Sequence, residues 1–204
     1  MYKGKLKRQN LSVDMTAMCD VGFLLLIFLM FSWCPQIFKP YQIERPASIA
    51  PHGVYDPGGE EIIITIAQGR VMYEIPERWD RDLILAKLGG AHHINFTPEE
   101  LKKFMKINTV GVPIDNLKQF IDSYYKDGTF TNQPGILINH THNELGEWID
   151  ATRKISREKY GQDVPFIINA DKSTPYPTVE AVLNILGSRK IFKMDLYYDV
   201  KHKI

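Results

Sequence analysis

The sequence predicts a membrane-anchored α/β protein: one N-terminal transmembrane helix, an extended linker, and a small α/β domain closed by a strand–helix–strand unit. Three observations predict it. Residues 15–33, MTAMCDVGFLLLIFLMFSW, form an apolar run with a single charge, Asp20. The stretch after it is punctuated by Pro35, Pro40, Pro46, Pro51 and Pro57. From Glu61 onward, β-branched runs alternate with segments of helical periodicity.

The apolar run sets the organisation. About 20 residues at 1.5 Å each cover roughly 30 Å, the thickness of a bilayer's hydrocarbon core. A cleaved signal peptide would need a shorter core and a small-residue cleavage site, and Ser32-Trp33-Cys34-Pro35 is a poor one. A buried helix of a soluble domain would keep polar positions, and Phe23 to Phe31 has none. Lys3, Lys5, Lys7 and Arg8 precede the run, with no acid before Asp14. The positive-inside rule therefore keeps this end in the cytoplasm and puts everything after Trp33 outside it. The expected division is a short basic cytoplasmic segment over 1–14, a transmembrane helix over 15–36, a Pro/Gly-rich linker over 37–60, and an α/β domain over 61–204. An N-terminal segment this short leaves no room for a cytoplasmic domain.

Composition excludes several classes. Lys and Arg number 25 against 24 Asp and Glu, so nothing suggests a nucleic-acid partner. Cys19 lies inside the run and Cys34 at its outer edge, which argues against a disulfide framework. No nucleophile–base motif, phosphate loop or zinc signature is present, so neither enzyme chemistry nor a cofactor is expected. His140 and His142 are two apart, and His92-His93 lies elsewhere. No Cys or acid accompanies them at a metal-binding spacing, so they read as surface histidines.

Spaced prolines prevent a helix over 35–60 and favour extended chain. Glu61 to Ala67 is a β-branched strand, Gln68-Gly69 a turn, and Val71-Met72-Tyr73 the returning strand of a hairpin. Asp80 to Leu88 reads as a helix with Leu83, Ile84, Ala86 and Leu88 inward and Gly89 as its stop. Thr97-Pro98-Glu99-Glu100 is a helix start with a capping box, followed by Leu101, Phe104 and Met105 at helical spacing. Ile114, Leu117, Ile121 and Tyr124 predict a helix from Ile114 to Tyr125 that ends at Asp127-Gly128. Gly135 to Asn139 is a short strand candidate. Asn143 to Lys159 is helical with Leu145, Trp148, Ile149, Thr152 and Ile155 inward. Val164 to Asn169 is a strand, and Ala170 to Ser173 a polar turn. Thr174 is placed to cap a helix that starts at Pro175, with Val179, Val182, Leu183 and Leu186 inward and Gly187 as its end. Phe192, Met194, Leu196 and Tyr198 then alternate with polar neighbours as a half-buried strand.

A carboxylate in mid-membrane costs about 2.5–3.5 kcal/mol on insertion scales, so Asp20 implies a compensating use. Charged, it seeks polar partners; neutral, it tolerates an apolar wall. Moving one charge through 100 mV is worth about 2.3 kcal/mol, enough to bias such a step. Leu24 and Ile27 share its helical face and are placed to seal a path. Thr16 lies one turn before it and could hydrogen-bond along that path or satisfy its own backbone; Asp14 reads as a boundary cap. The alternative is an Asp that only holds an oligomer together by hydrogen bonding.

Two motifs carry a family resemblance. Val13-Asp14-Met15-Thr16-Ala17-Met18-Cys19-Asp20 and the apolar residues after it resemble the signature of the ExbD/TolR family, a D/N-x-T-P-x-x-D lead entering a span. Ala17 stands where the family usually has proline. Ile167-Ile168-Asn169-Ala170-Asp171-Lys172-Ser173-Thr174-Pro175-Tyr176, with its helix and final strand, resembles the same family, and places Asp171, Pro175 and Tyr176 in its C-terminal motif. The resemblance implies a non-enzymatic motor subunit of the bacterial inner membrane. Its domain would be periplasmic, and its span would lie as a homodimer within a ring of ExbB-like subunits. Proton flow would energise a TonB-like protein for transport across the outer membrane, with Asp20 as the proton carrier. A TolR-like member would serve envelope maintenance instead. Ile43-Glu44-Arg45-Pro46-Ala47 resembles the family's linker Leu-Pro motif, linked to keeping the motor closed, with Arg45 in place of leucine. The segment of about 90–160 exceeds a minimal member and reads as an insertion. The competing class is a passive tether whose domain grips peptidoglycan.

Overall fold

The computed structural model describes residues 15–32, 43–48, 60–124, 132–138, 143–197 and 199–200. The chain divides into two units, Met1–Phe38 and Lys39–Ile204.

The first unit contains one described helix, α1 (Thr16–Ser32). Its leucines and methionines favour the helix, and none of its residues is buried by the chain itself. Its 17 residues rise about 25 Å. No helix among the described residues is long and apolar enough to cross a membrane.

The second unit is a mixed α/β domain around the strand β2 (Ile62–Ala67). Every residue of β2 is buried, which is why it reads as a continuous apolar run rather than an alternating one. Gln68 and Gly69 both take positive φ, 52° and 72°. That conformation suits the right-handed twist of a two-residue hairpin and returns the chain as β3 (Arg70–Glu74), antiparallel to β2. A two-residue strand, β4 (Thr109–Val110), extends β3 outward. On the other side β2 pairs in parallel with β5 (Phe166–Ala170), and β5 with β6 (Met194–Leu196). The five-stranded order is β4-β3-β2-β5-β6. The crossover between β5 and β6 is the helix α6 (Tyr176–Ser188), so the predicted strand–helix–strand unit is present.

Several helices differ in detail from the sequence reading. Helix α2 (Arg81–Ala91) runs through Gly89 instead of stopping there. Gly89 is buried, and a Cβ on it would sit 2.6 Å from the Ile94 carbonyl oxygen and 2.7 Å from the Phe96 ring. The glycine answers a close approach. The helix ends where His93 turns left-handed (φ 56°) and the Ile94 amide donates to the Gly89 carbonyl. Helix α6 likewise passes Gly187, and its left-handed residue is Lys190, with Ile191 donating to Leu186. In α2 the buried face is Ile84, Leu85 and Leu88, while Leu83 and Ala86 point outward. In α6 Ile185 takes the inward place expected for Leu183. Thr174 does not cap α6; its hydroxyl donates to the Ile66 carbonyl at 3.1 Å, and Pro175 holds the cap position.

Helix α3 (Pro98–Phe104) starts as predicted. Thr97 Oγ1 accepts from the Glu100 amide, and the Glu100 carboxylate accepts from the Thr97 amide at 2.7 Å. Thr97→Ala is expected to lower domain stability by about 1 kcal/mol in urea unfolding. Met105 lies exposed just past the helix end. The helix expected from Ile114 is divided: a 3₁₀ turn over Ile114–Asn116 leads into α4 (Leu117–Ser123), a common way to enter a helix. The Gly135–Asn139 stretch forms no strand among its described residues. Gly135 takes φ +100°, and Ile138 makes only a single bridge to Asn143.

Helix α5 (Glu144–Tyr160) is capped by the Asn143 side chain and closed by left-handed Gly161. It brings the 90–160 segment into the same core as the sheet. Trp148 is fully buried between Tyr73 of β3 and Phe104 of α3, with ring centroids 5.8 Å and 6.2 Å away. The Tyr73 hydroxyl donates to Thr152 Oγ1 at 3.0 Å, and Thr152 donates back to the Trp148 carbonyl.

The last strand is shorter than its alternation suggested. Phe192 and Leu196 are exposed, while Tyr197 is buried. Among the described residues β6 is a three-residue edge strand, too short to carry the alternation on through Tyr197. Tyr198 lies outside the described residues.

Glu144 shows how a distant helix completes a turn. Its buried carboxylate accepts from the Ile114 amide at 3.2 Å and so caps the 3₁₀ turn before α4. Burial pushes its pKa up, with Asp115 and Glu147 adding to the rise and the Ile114 and Leu137 amides opposing it. A carboxyl raised on folding favours the native state only while protonated. Stability therefore falls as pH climbs from its unfolded value through its folded value. Glu144→Gln is expected to flatten this fall of stability between the unfolded carboxyl range and neutral pH, measured by urea unfolding at both pH values.

Candidate functional site

The candidate residues fall into two groups, one in each unit. On α1, Asp20 is the only charged residue of the helix. Thr16 opens the helix, and Leu24 and Ile27 follow Asp20 at spacings of four and seven, on one face. Leu24 is exposed and Ile27 half-buried. Cys19 is a free, exposed thiol. Asp14 and Cys34 lie outside the described residues. Chemically, the helix offers one carboxyl on a surface otherwise made almost wholly of hydrocarbon. An exposed apolar surface of this kind marks a site of contact with a partner.

The second group centres on the C-terminal motif. Asp171 follows β5 in the turn before α6. Its Oδ2 accepts from the Ser173 hydroxyl and from the Ser173 amide at 3.2 Å, an Asx turn. Its Oδ1 accepts from the Glu44 amide at 2.8 Å. The Ser173 hydroxyl, with the Glu44, Ser173 and Lys172 amides, holds this carboxyl below the usual range. The Lys172 amide in turn donates to the Glu44 carbonyl at 2.7 Å. Residues 43–48 of the proline-rich stretch thus lie along the end of β5. They continue into β1 (Ala47–Ser48), which pairs in parallel with β7 (Asp199–Val200).

The structure therefore brings Arg45 and Pro46 to the same place as Asp171 and Pro175. The Arg45 Nε donates to Asn169 Oδ1 at 3.3 Å, and its guanidinium carbon sits 4.5 Å from the centroid of the Tyr197 ring. Pro46 is half-buried. Tyr176 is exposed at the first position of α6. Sequence reasoning missed Asn169 and Tyr197 as the partners of this segment. An asparagine inside an apolar strand, buried on folding, was the available signal, because such a group needs a hydrogen-bonding partner.

His92 pairs with Glu147 across α2 and α5. His140 and His142 lie outside the described residues. Among the described residues no cluster of three or more His, Cys, Asp or Glu is placed to hold a metal.

Comparison with known families returns one described as ExbD, biopolymer transport protein ExbD/TolR, matched over residues 6–199. Comparisons with curated proteins and with solved structures return no significant match.

Proposed function

Because the chain belongs to the ExbD/TolR family of biopolymer transport proteins, we propose that it is the proton-carrying subunit of an inner-membrane motor. Residues 15–36 anchor it, with the N-terminus cytoplasmic and the domain of residues 61–204 periplasmic. The span sits as a homodimer inside a ring of ExbB-like subunits, and the domain acts on a TonB-like protein to energise transport across the outer membrane. Asp20 takes up and releases the proton. Thr16 stands beside the path, and Leu24 and Ile27 seal it.

The observation that carries this reading is the single carboxyl of α1 on an otherwise apolar helix. A passive tether gains nothing from a charge that is expensive in lipid. A group that alternates between charged and neutral forms converts that expense into a switch. Each form favours a different surrounding, so proton entry and exit drive the helix between two positions. The test is TonB-dependent growth on an iron chelate with Asp20→Asn in place of the native chain. Normal growth at native membrane levels would remove Asp20 from the proton path.

A further inference from the structure

Among the described residues, several contacts hold 43–48 on the domain. The Glu44 amide donates to the Asp171 carboxylate, the Lys172 amide donates to the Glu44 carbonyl, and the ladder between β1 and β7 is two residues long. Net gains from a few exposed hydrogen bonds do not outweigh the entropy lost in ordering several residues. A side chain that reaches buried groups of the domain adds to that hold.

We infer that Arg45 is that side chain, a positioning residue that clamps residues 43–48 to the domain by bridging Asn169 and Tyr197. Asn169 belongs to β5 and is 3 % exposed; Tyr197 follows β6 and is 8 % exposed. The guanidinium therefore meets two buried residues at once, one in β5 and one just after β6, with Nε donating to Asn169 and its carbon over the Tyr197 ring. A cation over a ring is worth more where water is reduced, and a planar guanidinium can stack and donate together, which a lysine ammonium does less well. The bridge closes between the end of β5 and the residue leading into β7. It thus holds the two strands that residues 44–48 lie against. The chain resembles its family's Leu-Pro linker motif here, yet the side chain in contact is cationic, so the clamp rests on charge and donor geometry rather than on apolar cover. The inference requires no role for Asp20.

The test follows amide hydrogen exchange at Lys172 in the full-length protein in detergent, because this amide donates to Glu44 and reports undocking. Arg45→Ala is expected to speed its exchange at least tenfold while the β2 amides of Ile64 and Ile66 keep their native rates. Arg45→Lys is expected to recover most of the protection, and Arg45→Leu little of it. Native exchange at Lys172 in Arg45→Ala would overturn the clamp. So would protection in Arg45→Leu equal to or better than in Arg45→Lys, since that ranking marks simple packing. If Arg45→Ala also loosens β2, the ranking of Lys against Leu alone decides.

Discussion

Asp20→Asn is expected to abolish growth on an iron chelate that depends on TonB, with the protein still present in the membrane at its native level. Asparagine keeps the size and hydrogen bonding of the side chain but has no proton to exchange at working pH. Removing a proton-transfer group commonly costs on the order of 100-fold or more in rate, and uptake driven by the proton motive force should fall at least that far. Asp20→Glu keeps the carboxyl one methylene further from the helix and is expected to retain part of the function. The pair separates chemistry from assembly: an oligomer glue made by hydrogen bonding would accept asparagine more readily than glutamate. If Asp20→Asn grows normally on the chelate but the cells show envelope defects, the TolR-like reading replaces the TonB-linked one. If neither phenotype appears, the span is a tether.

Trp148→Ala is expected to destabilise the domain by about 3–5 kcal/mol, the range for emptying a large aromatic site in a core. That is a large part of the 5–15 kcal/mol that holds a domain together, so the variant should unfold at markedly lower urea or temperature. The loss should reach β3 and α3 together, because Trp148 lies between Tyr73 and Phe104. Trp148→Phe is expected to cost much less. It keeps a ring in the site and removes the indole Nε1, which is buried with no hydrogen-bond partner among the described residues. Deleting an unsatisfied donor offsets part of the lost contact area. Urea unfolding followed by the remaining tryptophans and by exchange at Tyr73 gives both numbers.

How much of this was legible in the sequence depended on how local the cause was. The hairpin of β2 and β3 was legible because Gln68-Gly69 and two β-branched runs state it within about a dozen residues. The capping box of α3 was legible because Thr97 and Glu100 satisfy each other. Helix ends set by tertiary packing were not. Gly89 and Gly187 look like stops, but the ends are fixed where Ile94 and Ile191 turn back to bond an earlier carbonyl. The inward faces of α2 and α6 differ from the sequence reading at Leu83 and Leu183, where Leu85 and Ile185 turn inward instead, since neighbouring apolar residues leave the phase of a short helix ambiguous. At the functional positions, Asp20 stood out because a charge in an apolar run needs no partner to be conspicuous. The docking of Arg45 on Asn169 did not, because its partners are more than a hundred residues away and prolines erase any periodicity between them.

The pairing of β2 with β5 also fixes an order of events. Ile62 and its partner Phe166 are separated by about a hundred residues, and the parallel ladder cannot close until the later one exists. The hairpin with β3 forms in microseconds once its residues are free. At roughly 5–20 residues per second of synthesis, the far edge of β2 then waits about 5–20 s for β5. That edge carries four isoleucines and a row of unmatched amides, the kind of strand that pairs readily with a neighbouring chain. During this interval the open edge of β2 is exposed to pairing with another chain, and covering residues 62–67 would protect the nascent domain.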